Sequence, residues 1–281
     1  MLSLNPFRCL ALLVGAFLGA VSVSAETQND LGVWRKVSTY LTKEALIELK
    51  DLPSPKNAEA QRERDFCAAV VTLDQQPLSE SRLDDVEVRL QALLASRGDD
   101  DIANASRYLM GRIAQIYRET PQMDAASHYY RAVLESNDSD EWAKLARVKL
   151  AVLQLYVLPA ESRQARIDAV LALIAGTDDS VTKRDLHRLI ARAGMFFNFP
   201  PELALKHLLT ADEFGGLQGT LGADQLVQIG ELAIDTRQPE LSAHYYERLR
   251  EEYPRDPRIY IHDQRQAGQP VPQRREELNG R

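Results

Sequence analysis

A chain of 281 residues with 34 basic and 41 acidic side chains carries a net charge of −7 at neutral pH. Its Lys and Arg residues are scattered, so it lacks the basic stripe that grips a phosphate backbone, and no nucleic-acid partner is expected. Apolar residues make up 44% and aromatic residues only 7%, with Leu and Ala abundant, which favours helices over sheets.

Residues 1–25 read as a secretory signal peptide. Arg8 precedes an apolar run from Cys9 to Val21, and Val23-Ser24-Ala25 supplies the small residues of a cleavage site. The run falls short of the ~20 residues of a spanning helix. The expected mature chain starts at Glu26, has no transmembrane segment, and is exported to a periplasm or secreted. It keeps one cysteine, Cys67, so an intramolecular disulfide is excluded, and Cys67 reads as a small buried hydrophobe.

Residues 26–57 form an N-terminal helix and a linker. Trp34, Val37, Leu41 and Ala45 mark one helix over about 31–50, which Pro53 and Pro55 end. Residues 58–262 then read as five helical hairpins, each with apolar residues at i, i+3, i+4 and i+7. The first pairs Phe66, Ala69, Val70 and Leu73 with Leu83, Val86, Leu90 and Leu93. Ser81-Arg82-Leu83-Asp84 caps or interrupts its second helix. The second spans Arg107–Ser136. The third pairs Ala146, Leu150, Leu153 and Val157 with Ile167, Val170, Leu171 and Ile174. The fourth pairs Leu186, Leu189 and Ile190 with Leu205, Leu208 and Phe214, turning at Pro200-Pro201. Gly215, Gly216, Gly219 and Gly222 make a linker rather than a phosphate cradle, because no strand precedes them. The fifth spans Ala223–Tyr253. Ile259-Tyr260-Ile261 caps the last core surface, and residues 263–281 read as a disordered polar tail.

Arg107–Asp140 recurs 116 residues later as Ala223–Asp256. Eight of the thirty-four aligned pairs are identical, His128-Tyr129-Tyr130 against His244-Tyr245-Tyr246 among them, and self-similarity of a hairpin points to a solenoid.

These two stretches resemble the tetratricopeptide repeat family, whose unit is a helix–turn–helix of about 34 residues with small residues where the helices touch. Ala114 and Ala126 take the small places in the first, Gly230 and Ser242 in the second, with Tyr117, Tyr130, Val133, Tyr246 and Leu249 around them. The resemblance implies an all-α fold, an α-solenoid of antiparallel helical hairpins wound into a superhelix. It implies that Gly230 packs on Ser242. It also implies a concave groove that binds a protein or peptide partner, with Tyr108, Arg112, Gln115 and Arg118 at a basic end and Asp224, Gln228, Glu231 and Asp235 at an acidic end. The family's carboxylate-clamp Asn falls on Gln115 and Glu231, so the chaperone-tail receptor subfamily fits badly.

Little points to catalysis. His128, His187, His207, His244 and His262 form no His-x-x-x-His pair, and no Gly-x-Ser-x-Gly elbow occurs. No metal or cofactor is expected. His128 and His244 read as one repeated helix-face packing position. The expected function is a non-enzymatic scaffold or adaptor in the cell envelope. The alternatives are an α/α-type envelope enzyme acting on glycan, or a structural subunit of an envelope complex.

Overall fold

The computed structural model describes residues 31–136 and 141–268. The segment read as a signal peptide lies outside the described residues, as does the tail from residue 269 onward. The described chain is all-α, with no strand. Its helices are α1 (Leu31–Ser38), α2 (Thr42–Asp51), α3 (Ala58–Asp74), α4 (Glu80–Ser96), α5 (Asp101–Arg112), α6 (Met123–Ser136) and α7 (Glu141–Tyr156). They continue as α8 (Arg163–Ala175), α9 (Ser180–Phe196), α10 (Pro201–Phe214), α11 (Gly219–Asp235), α12 (Pro239–Glu252) and α13 (Pro257–Gln266). One π-helical turn, Ile113–Tyr117, prolongs α5.

The helix starts follow from short polar side chains and prolines. Asn57, Ser79, Asp100, Ser162, Asp179 and Asp256 each accept a backbone N–H in the first turn that follows. Pro201, Pro239 and Pro257 occupy first helical positions, where their missing N–H costs nothing. The cap of α4 is Ser79, two residues earlier than the Ser81 reading placed it.

The chain divides into two compact units, with the boundary inside α7 between Leu153 and Gln154. In the first, α2 packs on α1 and α3, α3 on α4, α4 on α5, and α5 on α6. In the second, α8 packs on α9, α9 on α10, α10 on α11, α11 on α12, and α12 on α13. Helices that pack on their sequence neighbours are consistent with a helical solenoid. The first unit buries Phe66, Leu73, Leu83, Leu90, Leu109, Met110 and Ile113, and Cys67 lies among them as a buried thiol. The second buries Leu205, Leu208, Leu226, Ile229, Tyr246 and Leu249 in one cluster.

Three expectations need correction. The single helix over 31–50 is two, because Tyr40 adopts φ 62° and the Ser38 and Thr39 hydroxyls turn back to donate to the Arg35 carbonyl. These helices are part of the core: Val33, Trp34, Val37 and Ala45 are buried, and the Trp34 and Phe66 rings lie 6.3 Å apart. The polar tail starts later than 263, since α13 runs to Gln266 and ion pairs hold it: Asp263 to Arg250 and Arg265 to Glu231. What lies over Gly230 is the ring of Tyr246: a methyl group there would stand 2.7 Å from its Cε2 atom.

The equivalent contact exists in the first unit, displaced by one turn. A methyl group at Gly111 would stand 2.6 Å from Tyr130 Cε1. Each tyrosine then donates its hydroxyl to an oxygen fifteen residues earlier, Tyr130 to Gln115 and Tyr246 to Glu231. His128 and His244 are both exposed, each with its ring beside the following tyrosine.

Candidate interaction site

Of the residues expected at the basic end of a groove, three are buried. Tyr108 is 3% exposed, with the Tyr130 ring 5.8 Å and the Trp142 ring 5.6 Å away. Arg112 is 4% exposed and donates to Gln115 Oε1 at 3.0 Å. The same oxygen accepts from Tyr130 at 2.7 Å. A reading based on one apolar face leaves these positions on the solvent side. Yet α5 touches α3, α4 and α6, and the run from Ala103 to Gln115 is buried all round except Arg107.

Arg118 is spoken for as well. Its guanidinium donates to Glu80 at 2.6 Å, Asp84 at 2.7 Å and Glu87 at 2.7 Å. Glu80 also accepts the Glu119 N–H at 2.8 Å. The Arg118 hydrogen bond holds the Glu80 carboxyl below its ordinary pKa, and the carboxylates hold Arg118 protonated. The cluster ties α4 to the chain leaving the π-helical turn.

The acidic set belongs to the other unit. Asp224 pairs with Arg258, and Glu231 accepts both from Arg265 and from the Tyr246 hydroxyl. These carboxylates anchor α13, the helix that sequence reading reduced to a remnant. Gln228 and Asp235 are exposed.

A different surface emerges in the second unit, where the end of α7 meets the turn after α9. Phe196 is 68% exposed. Its ring stands edge-on to Phe197 at 4.9 Å and to Tyr156 at 5.5 Å, while Tyr156 and Phe197 stack at 6.0 Å. Val157 and Met195 are exposed nearby in sequence. Arginines border the rings. The Arg166 guanidinium lies 5.9 Å from the Phe197 ring centre, and Arg163 donates to the Phe197 carbonyl at 2.9 Å. Burial raises the Tyr156 phenol pKa and the charge of Arg192 opposes the rise. The Tyr156 hydroxyl is withdrawn from water and has no hydrogen-bond partner among the described residues.

No protein-family model matches this chain, and no curated protein matches it either.

One further cluster joins residues twenty apart in sequence. His187 of α9 and His207 of α10 face each other with their Nδ1 atoms 2.7 Å apart, so one donates and the other accepts. Burial, aided by each other's charge and by Lys206, pushes His207 down to about 4, and burial lowers His187 too. Among the described residues, no group of three His, Cys, Asp or Glu side chains could hold a metal ion, and no helix is long and apolar enough to cross a membrane.

Sequence reasoning missed the aromatic surface because it gave residues 195–197 no role. The signal was present: Met195-Phe196-Phe197 puts three large apolar residues in a row, and one face of a helix cannot bury all three. The histidine pair had no such signal, since its two members lie on different helices.

Proposed function

We propose that this protein is an exported, non-enzymatic scaffold of tetratricopeptide-like hairpins that binds a protein partner in the cell envelope. The observation that carries partner binding is the exposed ring of Phe196 on its Tyr156–Phe197 base. Large apolar side chains gathered on a surface and rimmed by charge are characteristic of interaction sites. The tyrosine hydroxyl bond repeated 116 residues apart supports the repeat reading, because Tyr130 with Gln115 and Tyr246 with Glu231 occupy matched positions. The apolar run and small-residue site within residues 1–25 support export.

The test is affinity capture from an envelope fraction with the processed chain as bait. One reproducible protein partner is expected, together with no turnover of peptidoglycan or oligosaccharide by the purified protein. Recovery of no partner, or turnover of glycan, overturns the scaffold reading.

A further inference from the structure

We infer that the aromatic surface of the second unit is a docking site for an acidic peptide segment that carries one apolar anchor residue. The inference rests on the scaffold reading and names its partner by chemistry. Two observations fix that chemistry. The apolar part is small: Phe196 is the one ring that protrudes, Val157 and Met195 are less exposed, and Tyr156 and Phe197 are half-buried supports stacked at 23°. Such a surface accepts a single aromatic or branched side chain against Phe196, not a broad sheet of apolar groups.

Three arginines border the rings. Arg166 lies over Phe197, Arg163 is bound to the Phe197 carbonyl, and Arg192 acts on Tyr156. Two of these are held in place rather than waving in solvent, because Arg166 also donates to the carbonyls of Gln154 and Leu155 at 3.1 and 3.2 Å. Fixed guanidinium groups present donors in a set direction, which suits carboxylates bound beside the anchor. The chain itself is acidic overall, so a cationic surface patch on it discriminates between partners by sign. One protruding ring is too little apolar surface to hold a bilayer, whose binding scales with buried apolar area.

The site lies where α7 ends and where α9 turns into α10, at the ends of helices. It is distinct from the positions on the first helices of successive hairpins where a tetratricopeptide groove would lie.

The experiment is selection from a random peptide library displayed on phage, against the immobilised processed chain and against Phe196→Ser. Phe196 is largely exposed, so the substitution is expected to leave the helical circular dichroism unchanged. Enriched peptides should place one Phe, Leu or Trp among Asp and Glu. The corresponding synthetic peptide should bind at least ten-fold more weakly to Phe196→Ser and to Arg192→Glu, and its Lys-for-Glu counterpart should not bind. Enrichment of basic or uncharged peptides, equal binding to both variants, or no enrichment overturns the inference. So does self-association of the chain, or flotation with phosphatidylglycerol vesicles, if Phe196→Ser abolishes it. If envelope capture succeeds and survives Phe196→Ser, the scaffold stands and this site falls; if capture fails altogether, the scaffold falls.

Discussion

Tyr130 donates its hydroxyl to Gln115 Oε1 across 2.7 Å, and the same oxygen accepts from Arg112, so a residue expected to face a groove is instead an internal acceptor. The bond closes a buried set in which Tyr108 lies against both Tyr130 and Trp142. The interior of the first unit is thus partly polar, and its charged member has been taken out of water.

Replacing Arg112 by Glu therefore affects folding, not only recognition. A carboxylate would be buried opposite Gln115 Oε1, acceptor against acceptor. Disrupting a buried, hydrogen-bonded charge costs about 3–5 kcal/mol. Urea denaturation should show a loss of that order for Arg112→Glu, and an unchanged midpoint would place Arg112 at the surface.

Gly230→Leu should lower the melting temperature of the protein. The tyrosine ring over Gly230 cannot retreat, because the His262 ring is stacked 3.6 Å from it at an angle of 15°. Overpacking of this kind costs roughly 1–3 kcal/mol. A variant that melts with the wild type would mean that Tyr246 is not seated there.

The regular helices were legible in the sequence because each obeys a local rule. Phe66, Val70 and Leu73 follow the helical period, and Pro201 starts α10. The thirty-four-residue match was legible too, since it rests on side chains that make the same contact twice. Three things were hidden for physical reasons. Periodicity reports one buried face, whereas α5 is covered on several. The π-helical turn inserts a residue, which moves Tyr117 and Arg118 out of the phase extrapolated from Met110. A polar helix such as α13 is held by ion pairs over long sequence separations, of which Arg265 with Glu231 is one.

Acid should weaken the second unit through its histidine pair. The folded pKa of His207 is about 4, below the ordinary 6.5, and that of His187 is lowered as well, so the folded state binds protons less readily than the unfolded chain. The stabilisation is complete above about pH 6.5 and is lost as the pH falls towards 4. The neighbouring Lys183 and Lys206 act in the same direction, and Glu213 opposes them for His187. The His207 ring should titrate near 4 by NMR. His207→Leu should flatten the dependence of stability on pH between 6.5 and 4; an unaltered slope would exclude the pair as its source.

Arg118→Ala should remove an acid-sensitive contribution of the same sign from the first unit. Without the guanidinium, Glu80, Asp84 and Glu87 converge with no counter-charge from that position. Because Arg118 lowers the Glu80 pKa, the stability it adds is present above the ordinary carboxylate pKa and disappears as Glu80 becomes protonated. The difference between wild type and variant should be largest near neutrality and shrink below pH 4, and added salt should reduce it because the carboxylates are partly exposed. A difference independent of pH would show that Arg118 acts through packing alone.

The contacts of Tyr130 with Gly111 and of Tyr246 with Gly230 also govern the order in which substitutions can accumulate. A bulkier residue at the glycine collides with a ring that has nowhere to go. A smaller residue at the tyrosine empties the space above the glycine and takes one donor from the acceptor fifteen positions earlier. Each single step loses stability, and only the joint exchange restores a filled interior, so the two positions are expected to drift together or not at all.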